Sequence, residues 1–397
     1  MKKVKTPSTS CFIQPDDLSA LTLISAAKVK AFVKALNAVT DKKLAGRKLV
    51  AAVGTGGTIA MKVEKGIRLP NLNFASVFAK CNPDLQERFF VVSLDAFSID
   101  SADMDYRHVR DLAIALTYVW RNLTRPIAGF LILHGSDTLP YTSAAMSLMM
   151  GQGLPFSIVY TASQRTLEEP LNDVAVNLRN ALFTLEALHK KDMAEVVIVV
   201  GDHAMLATSS VKVDDLMENA FDAPIHKYVA SFNRLEYPVR LAGWLNPRRK
   251  GVKFEPTIWA HNFARTLLVT STLGLNPTMV GRWVSAPEIQ AVLWYSYGTG
   301  TVYKQVGYEM LKVARARNLP IFIASPVNGE YKVAYESGQK MVEMGVIPID
   351  MTLPAALAKI EIALGKFGDD VAEVARFVTT NYVGEIPSAE SRYVPLK

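Results

Sequence analysis

The chain has 397 residues, half of them apolar, and it carries 44 Lys and Arg residues against 37 Asp and Glu. This length allows two or three domains of ordinary size. The positive excess is small and scattered, so it lacks the basic patch of a nucleic-acid binder, and we expect no nucleic-acid partner. The two cysteines, Cys11 and Cys81, have no metal-ligand or redox spacing, which excludes a disulfide framework and fits a reducing compartment.

The N-terminal segment begins with basic residues, but Pro7, Pro15 and two aspartates interrupt it before any continuous apolar stretch. A secretory signal needs such a stretch, so we predict a cytoplasmic protein. A long uncharged run covers residues 138–164, and Pro140 and Pro155 divide it. We interpret this run as a buried helix followed by a strand and expect no membrane partner.

Residues 16–45 have apolar side chains at helical spacing, which predicts a helical N-terminal extension over residues 1–47. After the extension, short β-rich runs alternate with longer amphipathic segments. This alternation indicates an α/β fold in which a parallel sheet is covered on both faces. We predict a three-layer domain over residues 48–240, a linker rich in Pro, Gly and basic residues over 241–262, and a smaller α/β domain over 263–397.

Polar residues follow four predicted strands of the first domain. Because ligands bind beyond the carboxyl ends of the strands in open parallel sheets, we expect these residues to meet at one edge. Hydroxyls, a carboxylate, a lysine and glycine N–H groups are the components of acyl transfer through a hydroxyl nucleophile. The residues are Thr55–Thr58 after KLVAAVG, Ser101 and Asp103 after RFFVVSLDAF, His134–Thr138 after GFLIL, and Lys212 in the segment after EVVIVVG.

The stretch VAAVGTGGTIAMKV places Gly56 and Gly57 directly before Thr58. The glycines predict a sharp turn that comes close to a substrate and leaves N–H groups open to a developing oxyanion. Thr58 would supply the attacking hydroxyl. A threonine hydroxyl needs a base or a proton relay, which Asp137 and Lys212 can provide through a bridging hydroxyl on the residue before Asp137.

Each of these residues also has a structural interpretation when taken singly. The glycine turn is compatible with a phosphate cradle, although it lacks the GxGxxG spacing and the GK[ST] ending. Ser101 can cap the helix that opens at ADMDYRHV, and Lys212 can be a solvated lysine. His134 can be a packed, hydrogen-bonded residue, and we assign it no chemical step.

Taken together, the segments TGGTIAM, IDSADM and ILHGSDTLPYTSAAMSLMM resemble L-asparaginases of the bacterial two-domain type, nearest the cytoplasmic type I enzymes. The similarity continues through YSYGTGTV to GVIPIDMTLPAALAKI, from about residue 48 to about residue 365. The resemblance implies a small-molecule amide substrate, asparagine, hydrolysed to aspartate and ammonia. It also implies that no metal or organic cofactor is used and that the protein is a homodimer or homotetramer.

The resemblance places the nucleophile at Thr58 and the second catalytic hydroxyl, a threonine in the family, at Ser136. The neighbouring carboxylate falls on Asp137. The catalytic lysine falls on Lys212, although the spacing before it differs from the family's. The implied substrate-binding positions are Gly57, Ser101, Ala102 and Gly135, together with Asp137.

Three departures from the family pattern bear on the substrate. Ser136 keeps a hydroxyl but lacks the methyl group that restricts a threonine rotamer. The segment KVEKGIRLPNLN contains no tyrosine, whereas the family's lid places one near the nucleophile; Arg68 lies near that place. Thr301 and Pro354 stand where the family tends to have an asparagine and an acidic residue.

Three functions stay open at this point. The first is hydrolysis of free asparagine or a close relative, and the asparagine-to-glutamine preference rests on one methylene, worth about 1–3 kcal/mol. The second is an amidase subunit similar to that of the archaeal glutamyl-tRNA amidotransferase, which would depend on tRNA and a second subunit; the N-terminal extension is short for that family's extra domain. The third is a scaffold without catalysis, favoured only by the missing tyrosine.

Overall fold

The computed structural model describes residues 12–64, 67–70, 74–81, 83–232, 239–245, 251–259, 264–326 and 335–387, with the backbone alone at 60–64, 67–70 and 83. The helices are α1 (Ala26–Asn37), α2 (Asp41–Leu44), α3 (Phe74–Lys80), α4 (Pro83–Arg88), α5 (Tyr106–Arg121), α6 (Leu139–Met150), α7 (Val174–Lys190), α8 (Pro277–Val284), α9 (Lys304–Arg317), α10 (Glu336–Glu343), α11 (Leu353–Phe367) and α12 (Val371–Thr379). The strands are β1 (Phe12–Ile13), β2 (Lys48–Gly56), β3 (Met61–Glu64), β4 (Ile67–Pro70), β5 (Phe89–Ile99), β6 (Phe130–Leu133), β7 (Ile158–Thr161), β8 (Val196–Val200), β9 (His203–Leu206), β10 (Val211–Lys212), β11 (Phe221–Asp222), β12 (Ala230–Ser231), β13 (Ile258–Trp259), β14 (Thr266–Thr270), β15 (Ala291–Tyr295), β16 (Ile321–Ala324) and β17 (Ile347–Pro348).

Seven strands form the larger sheet in the order β12-β9-β8-β7-β6-β2-β5. Five neighbouring strands, β8, β7, β6, β2 and β5, are parallel to one another, which confirms the predicted parallel sheet for this part. The edge differs from the prediction, because β9 runs antiparallel to β8 and β12 runs antiparallel to β9. The chain reverses directly after β8 at Gly201, whose φ of +61° is accessible to glycine in a tight turn.

Helices cover both faces of this sheet, as the predicted three layers require. Alternate side chains of β2 point to opposite faces of the sheet. Leu49, Ala51 and Val53 belong to the core beneath α1, α5 and α6. Val50 and Ala52 belong to the opposite core, beneath α3 and α7. All of these residues are buried, because both faces of a covered parallel sheet are removed from water.

A second, smaller sheet has four parallel strands in the order β14-β15-β16-β17. Helices α11 and α12 cover one of its faces and α8, α9 and α10 cover the other, which confirms a smaller α/β unit. Strand β17 was not predicted, since two residues are too short to produce a pattern. Ala144 of α6 is part of the core around α11, so the two units pack on each other. The limits predicted at 48–240, 241–262 and 263–397 stay predictions.

The uncharged run at 138–164 forms α6 and β7, as predicted. In the part of the chain that the structure describes, no helix is both long and apolar enough to cross a membrane. Cys81 is a free, buried thiol whose pKa is raised by burial to about 11, whereas Cys11 lies outside the described residues. The Cys81 side chain is therefore protonated at neutral pH and packs as an apolar group.

The N-terminal extension is helical, but its helices begin later than the aspartates at its start suggest. A short 3-10 turn precedes α1 and α2, and the segment between the turn and α1 is bound to α5. One carboxylate oxygen of the buried Asp111 accepts hydrogen bonds from the N–H groups of Thr22, Leu23 and Ile24, at 2.8, 2.6 and 3.1 Å. Arg110 pairs with the same carboxylate and donates to the Thr22 hydroxyl. The extension is therefore fastened to the main fold by a charge-assisted cluster.

We predict that Asp111→Ala lowers the free energy of unfolding by about 3–5 kcal/mol, because it leaves three backbone donors and the Arg110 guanidinium without their acceptor. Urea unfolding monitored by circular dichroism measures this change. Asp16→Ala is the control, since Asp16 forms an exposed ion pair with Arg121 and its loss should cost at most about 1 kcal/mol. Equal costs for the two variants would contradict a structural role for the Asp111 cluster.

Candidate active site

The carboxyl ends of β2, β5 and β6 meet through backbone contacts at glycines. Gly56 and Gly57 have φ angles of +97° and +79°. A Cβ atom on Gly56 would lie 2.3 Å from the carbonyl oxygen of Ile99, and one on Gly57 would lie 2.4 Å from the Cα of Gly135. Both glycines are therefore required, since any side chain would separate β2 from its two neighbours at this edge.

This close approach brings predicted site residues together. Thr58 directly follows Gly57, which contacts Gly135, and Ser136 directly follows Gly135. A Cβ atom on Gly135 would lie 2.4 Å from the Ser101 Oγ atom, so Ser101 of the β5 end belongs to the same contact. Ser101 and Ser136 are 3% and 7% exposed, and Thr58 is half-buried. Three hydroxyl-bearing residues thus lie at one edge of the sheet.

Lys212 reaches this edge by a different route from the one expected. The sequence interpretation placed it in a segment directly following β8, but β9 intervenes and Lys212 lies on β10, which pairs with β11. Its Nζ atom donates hydrogen bonds to the Ser136 hydroxyl at 3.0 Å and to an Asp137 carboxylate oxygen at 2.6 Å. The Lys212 side chain is 18% exposed and that of Asp137 is 66% exposed. The Lys212 nitrogen is thus held between a buried hydroxyl and a carboxylate open to solvent.

The backbone N–H groups of two predicted substrate-binding residues, Gly57 and Ala102, are already paired. The Gly57 N–H donates to the carbonyl oxygen of Ile99 at 3.2 Å, so it is not open to an oxyanion in this conformation. The Ala102 N–H donates to the Asp100 carboxylate at 3.0 Å. The geometry therefore supports a role for Gly57 in the close packing of two backbones, and it does not support a role as a hydrogen-bond donor to an oxyanion.

Two aspartates near the site, Asp100 and Asp105, were not singled out from the sequence, and Thr138, which was expected at this edge, has a role that was not predicted. Asp100 caps the turn that carries Ser101, and the Thr138 hydroxyl donates to the Ser101 carbonyl oxygen at 2.9 Å. Asp105, not Ser101, is the N-cap of α5. Burial acts to raise the pKa of Asp105, but hydrogen bonds from Arg107 and its neighbours hold that pKa below its usual value. The aspartates were detectable as residues preceding a helical turn, whereas the Thr138 contact depends on the tertiary fold.

His134 has the packed role that the sequence allowed for it. It is fully buried, and its Nδ1 atom donates to the carbonyl oxygen of Gly135 at 2.7 Å. Its Nε2 atom has no hydrogen-bond partner among the described residues. Burial lowers the pKa of His134 to about 4, so the ring is neutral at neutral pH.

Part of the predicted site lies outside the described residues. This applies to the side chains of the tyrosine-free segment at 62–73, including Arg68. Pro354 is described at the start of α11, where it lines a cavity of about 320 Å³ with Met104 and Tyr141. Within the described ranges, no three His, Cys, Asp or Glu side chains are grouped so that they could hold a metal ion.

The two α/β units, with a lysine–hydroxyl cluster at the edge of the larger sheet, define a class of two-domain α/β proteins, and comparisons with known proteins show which of them this chain resembles. The profile of the asparaginase N-terminal domain matches residues 49–241. The L-asparaginase of Thermococcus kodakarensis is 28% identical over 340 residues, which cover 84% of this chain and 98% of the relative. Its solved structure superposes with a TM-score of 0.72 at 27% identity, over 86% of this chain and all of that one.

A relative with another name is equally similar. A subunit of the glutamyl-tRNA(Gln) amidotransferase of Aeropyrum pernix is 29% identical over 354 residues, which cover 85% of this chain and 79% of the relative. The protein carries an asparaginase-family domain and has the fold of the two-domain asparaginases. The resemblance seen in the sequence motifs is thereby confirmed.

The glycine contact can be tested with a matched pair of substitutions. Gly46 and Gly57 have similar φ angles, +84° and +79°, but a Cβ atom on Gly46 would meet no atom within 4 Å. We expect Gly46→Ala to cost about 1–2 kcal/mol from backbone conformation alone. Gly57→Ala should cost more than twice as much, because it also pushes β2 away from Gly135. Equal unfolding free energies for the two variants would contradict the close contact.

The buried, neutral His134 ring should make the stability of the folded protein sensitive to acid. Its pKa is lowered in the folded state, so the unfolded chain binds a proton that the folded chain does not as the pH falls from about 6.5 to about 4. The wild type should lose about 3 kcal/mol of stability over this window through His134, and His134→Gln should lose correspondingly less. Urea midpoints at pH 7, 5.5 and 4 measure the difference, and parallel pH profiles for the two proteins would refute it.

Proposed function

We propose that this protein is an amidohydrolase that converts L-asparagine and water to L-aspartate and ammonia. The observation that carries the proposal is the pair of hydrogen bonds from Lys212 to Ser136 and Asp137, at the edge where the β2 turn presents Thr58. A lysine held against a buried hydroxyl beside a second hydroxyl is a proton relay for a hydroxyl nucleophile. The similarity to L-asparaginase supports the choice of substrate.

In the proposed reaction the Thr58 oxygen attacks the carboxamide carbon of asparagine and passes its proton to the Ser136 oxygen, while Ser136 passes its own proton to Lys212, which takes part in its unprotonated amine form. The tetrahedral intermediate then breaks its C–N bond, and the relay returns the proton to the leaving nitrogen, which departs as ammonia. A water molecule attacks the resulting ester in the same way. Aspartate is released and the Thr58 hydroxyl is restored, so atoms and protons balance over the cycle.

The exposure of Asp137 supports a second role for its carboxylate. Two-thirds of this side chain is accessible, and only one of its oxygens accepts the Lys212 hydrogen bond. The other oxygen can therefore bind the α-ammonium group of an amino-acid substrate. Such a contact favours a free amino acid over an amide without a charged amine. Ser101 is buried at the same edge, and we propose that it helps to hold the α-amino and α-carboxylate groups of the substrate.

A second candidate function has direct support from the comparisons. The similarity to an amidotransferase subunit is as high as that to the asparaginase, so we also consider an amidase that passes ammonia to a partner subunit. This alternative predicts that ammonia release depends on tRNA and a second subunit.

Cytoplasmic location and a homodimeric or homotetrameric state stay predictions.

Ammonia release from purified protein, measured with asparagine and with glutamine at neutral pH, tests the proposal. We expect Thr58→Ala to lower kcat by about a thousandfold or more, since the nucleophile is removed. Lys212→Met should lower kcat by about 10²- to 10⁴-fold by removing the relay. Lys304→Met is the matched control, because Lys304 pairs with Glu336 on the second unit and its loss should leave kcat unchanged.

The outcomes separate the candidate functions. Turnover of asparagine by the chain alone, lost in Thr58→Ala, supports the hydrolase and excludes an obligate partner. Turnover that appears only with tRNA and a second subunit supports the amidotransferase alternative. Full activity in Thr58→Ala would overturn the assignment of the nucleophile.

A further inference from the structure

The position of Lys212 depends on a very short ladder. Strand β10 has two residues and pairs with the two residues of β11, Lys212 opposite Phe221 and Val211 opposite Asp222. Beyond the ladder, the N–H groups of Val213 and Asp214 donate to the Ala220 carbonyl oxygen. The chain between these strands is solvent-exposed, and Leu216 at its tip is 86% exposed. Two residue pairs and an exposed connection provide little stiffness. The position of the Lys212 amine against Ser136 therefore depends on the residues that hold the ends of this ladder. The buried segment 208–210 holds the start of β10, and the end of β11 needs a support of its own.

The buried side chains of Ala220, Phe221 and Ala223 pack β11 on the core, and a hydrogen bond from a tyrosine holds its polar end. The carboxylate of Asp222, at the end of β11, accepts the hydroxyl of Tyr228 at 2.8 Å and the N–H of Ala223 at 2.7 Å. The Tyr228 side chain is half-buried. Its hydroxyl therefore ties the end of the β10–β11 hairpin to a ring that lies outside the hairpin.

The Tyr228 ring is in turn fixed to the large sheet. It stacks on the imidazole of His203, with ring centroids 3.8 Å apart and planes inclined by 7°. His203 begins β9, pairs with Ser231 of β12 and lies 3.2 Å from the Ser231 hydroxyl through its Nδ1 atom. Burial lowers the pKa of His203, against the opposing effect of Asp202 and Asp222, so the stack is uncharged at neutral pH.

We propose that Tyr228, acting through Asp222, is a positioning residue for Lys212. The contacts form one continuous series from the sheet edge to the site: His203 holds the Tyr228 ring, the Tyr228 hydroxyl holds Asp222, and β11 holds β10. Tyr228 touches neither the substrate nor the reacting atoms. Its function is to keep the Lys212 amine within hydrogen-bond distance of Ser136. The catalytic consequence rests on the proposed hydrolase function, whereas the geometric consequence does not.

Tyr228→Phe is the decisive variant, because it keeps the stack on His203 and removes only the hydroxyl. We expect kcat to fall about tenfold while KM for asparagine changes less than about twofold, since a displaced relay slows proton transfer without altering substrate contacts. Asp222→Ala should have a similar effect, and the double variant should be no slower than either single one. Tyr308→Phe, which alters a tyrosine on α9 in the second unit, should leave kcat and KM unchanged.

A crystal structure of Tyr228→Phe gives a readout that is independent of turnover. We expect the distance between Lys212 Nζ and Ser136 Oγ, 3.0 Å in the wild type, to exceed 3.5 Å in the variant. An unchanged distance together with unchanged kcat would overturn the proposal. Additive losses in the double variant, with a lowered unfolding midpoint and a parallel change in KM, would also overturn it by showing a merely structural role. If the wild type hydrolyses neither asparagine nor glutamine, the proposed function fails, and the distance alone decides the role of Tyr228.

Discussion

The contact between Gly57 and Gly135 is the constraint on which the rest of the candidate site depends. The two backbones approach so closely that a single methyl group on Gly57 would lie 2.4 Å from the neighbouring Cα. The residue after each glycine, Thr58 and Ser136, carries a hydroxyl. A contact made only of backbone atoms therefore sets the separation of the proposed nucleophile and the proposed relay, and no rotamer change can relax it.

The site combines two kinds of strand geometry. Thr58, Ser101 and Ser136 follow parallel strands, whose ends meet at one edge because of the sheet topology. Lys212 comes from an antiparallel hairpin beyond the sheet, after β9 has reversed the chain direction. The covered parallel sheet is rigid, whereas the hairpin is short and the connection between its two strands is exposed. Lys212 therefore needs further residues to hold it in position. Tyr228 is placed to do so, because its hydroxyl binds Asp222 at the end of the hairpin.

The same scaffold occurs in relatives with two different names, an L-asparaginase and an amidotransferase subunit. The components for activating a hydroxyl are buried or half-buried at the sheet edge, while the exposed Asp137 faces the solvent side of the cluster. Differences in substrate or partner are therefore expected to arise around the opening of the site. Under the proposed function, the residues that open toward solvent select the amide, and the buried residues carry out the proton transfers.

The sequence by itself determined the α/β class, the alternation of the main parallel strands with helices, and the residue types of the site, because buried strands and the TGGT and HGSD segments leave local patterns. It also indicated Thr58, Ser136 and Asp137 as neighbours through the rule that parallel strand ends meet. Only the tertiary structure decided that Lys212 reaches Ser136 from a hairpin beyond β9, that the Gly57 N–H is paired with Ile99, and that Asp111 holds the N-terminal extension. These contacts join residues far apart in the chain, or depend on a reversal at β9, so no local periodicity records them.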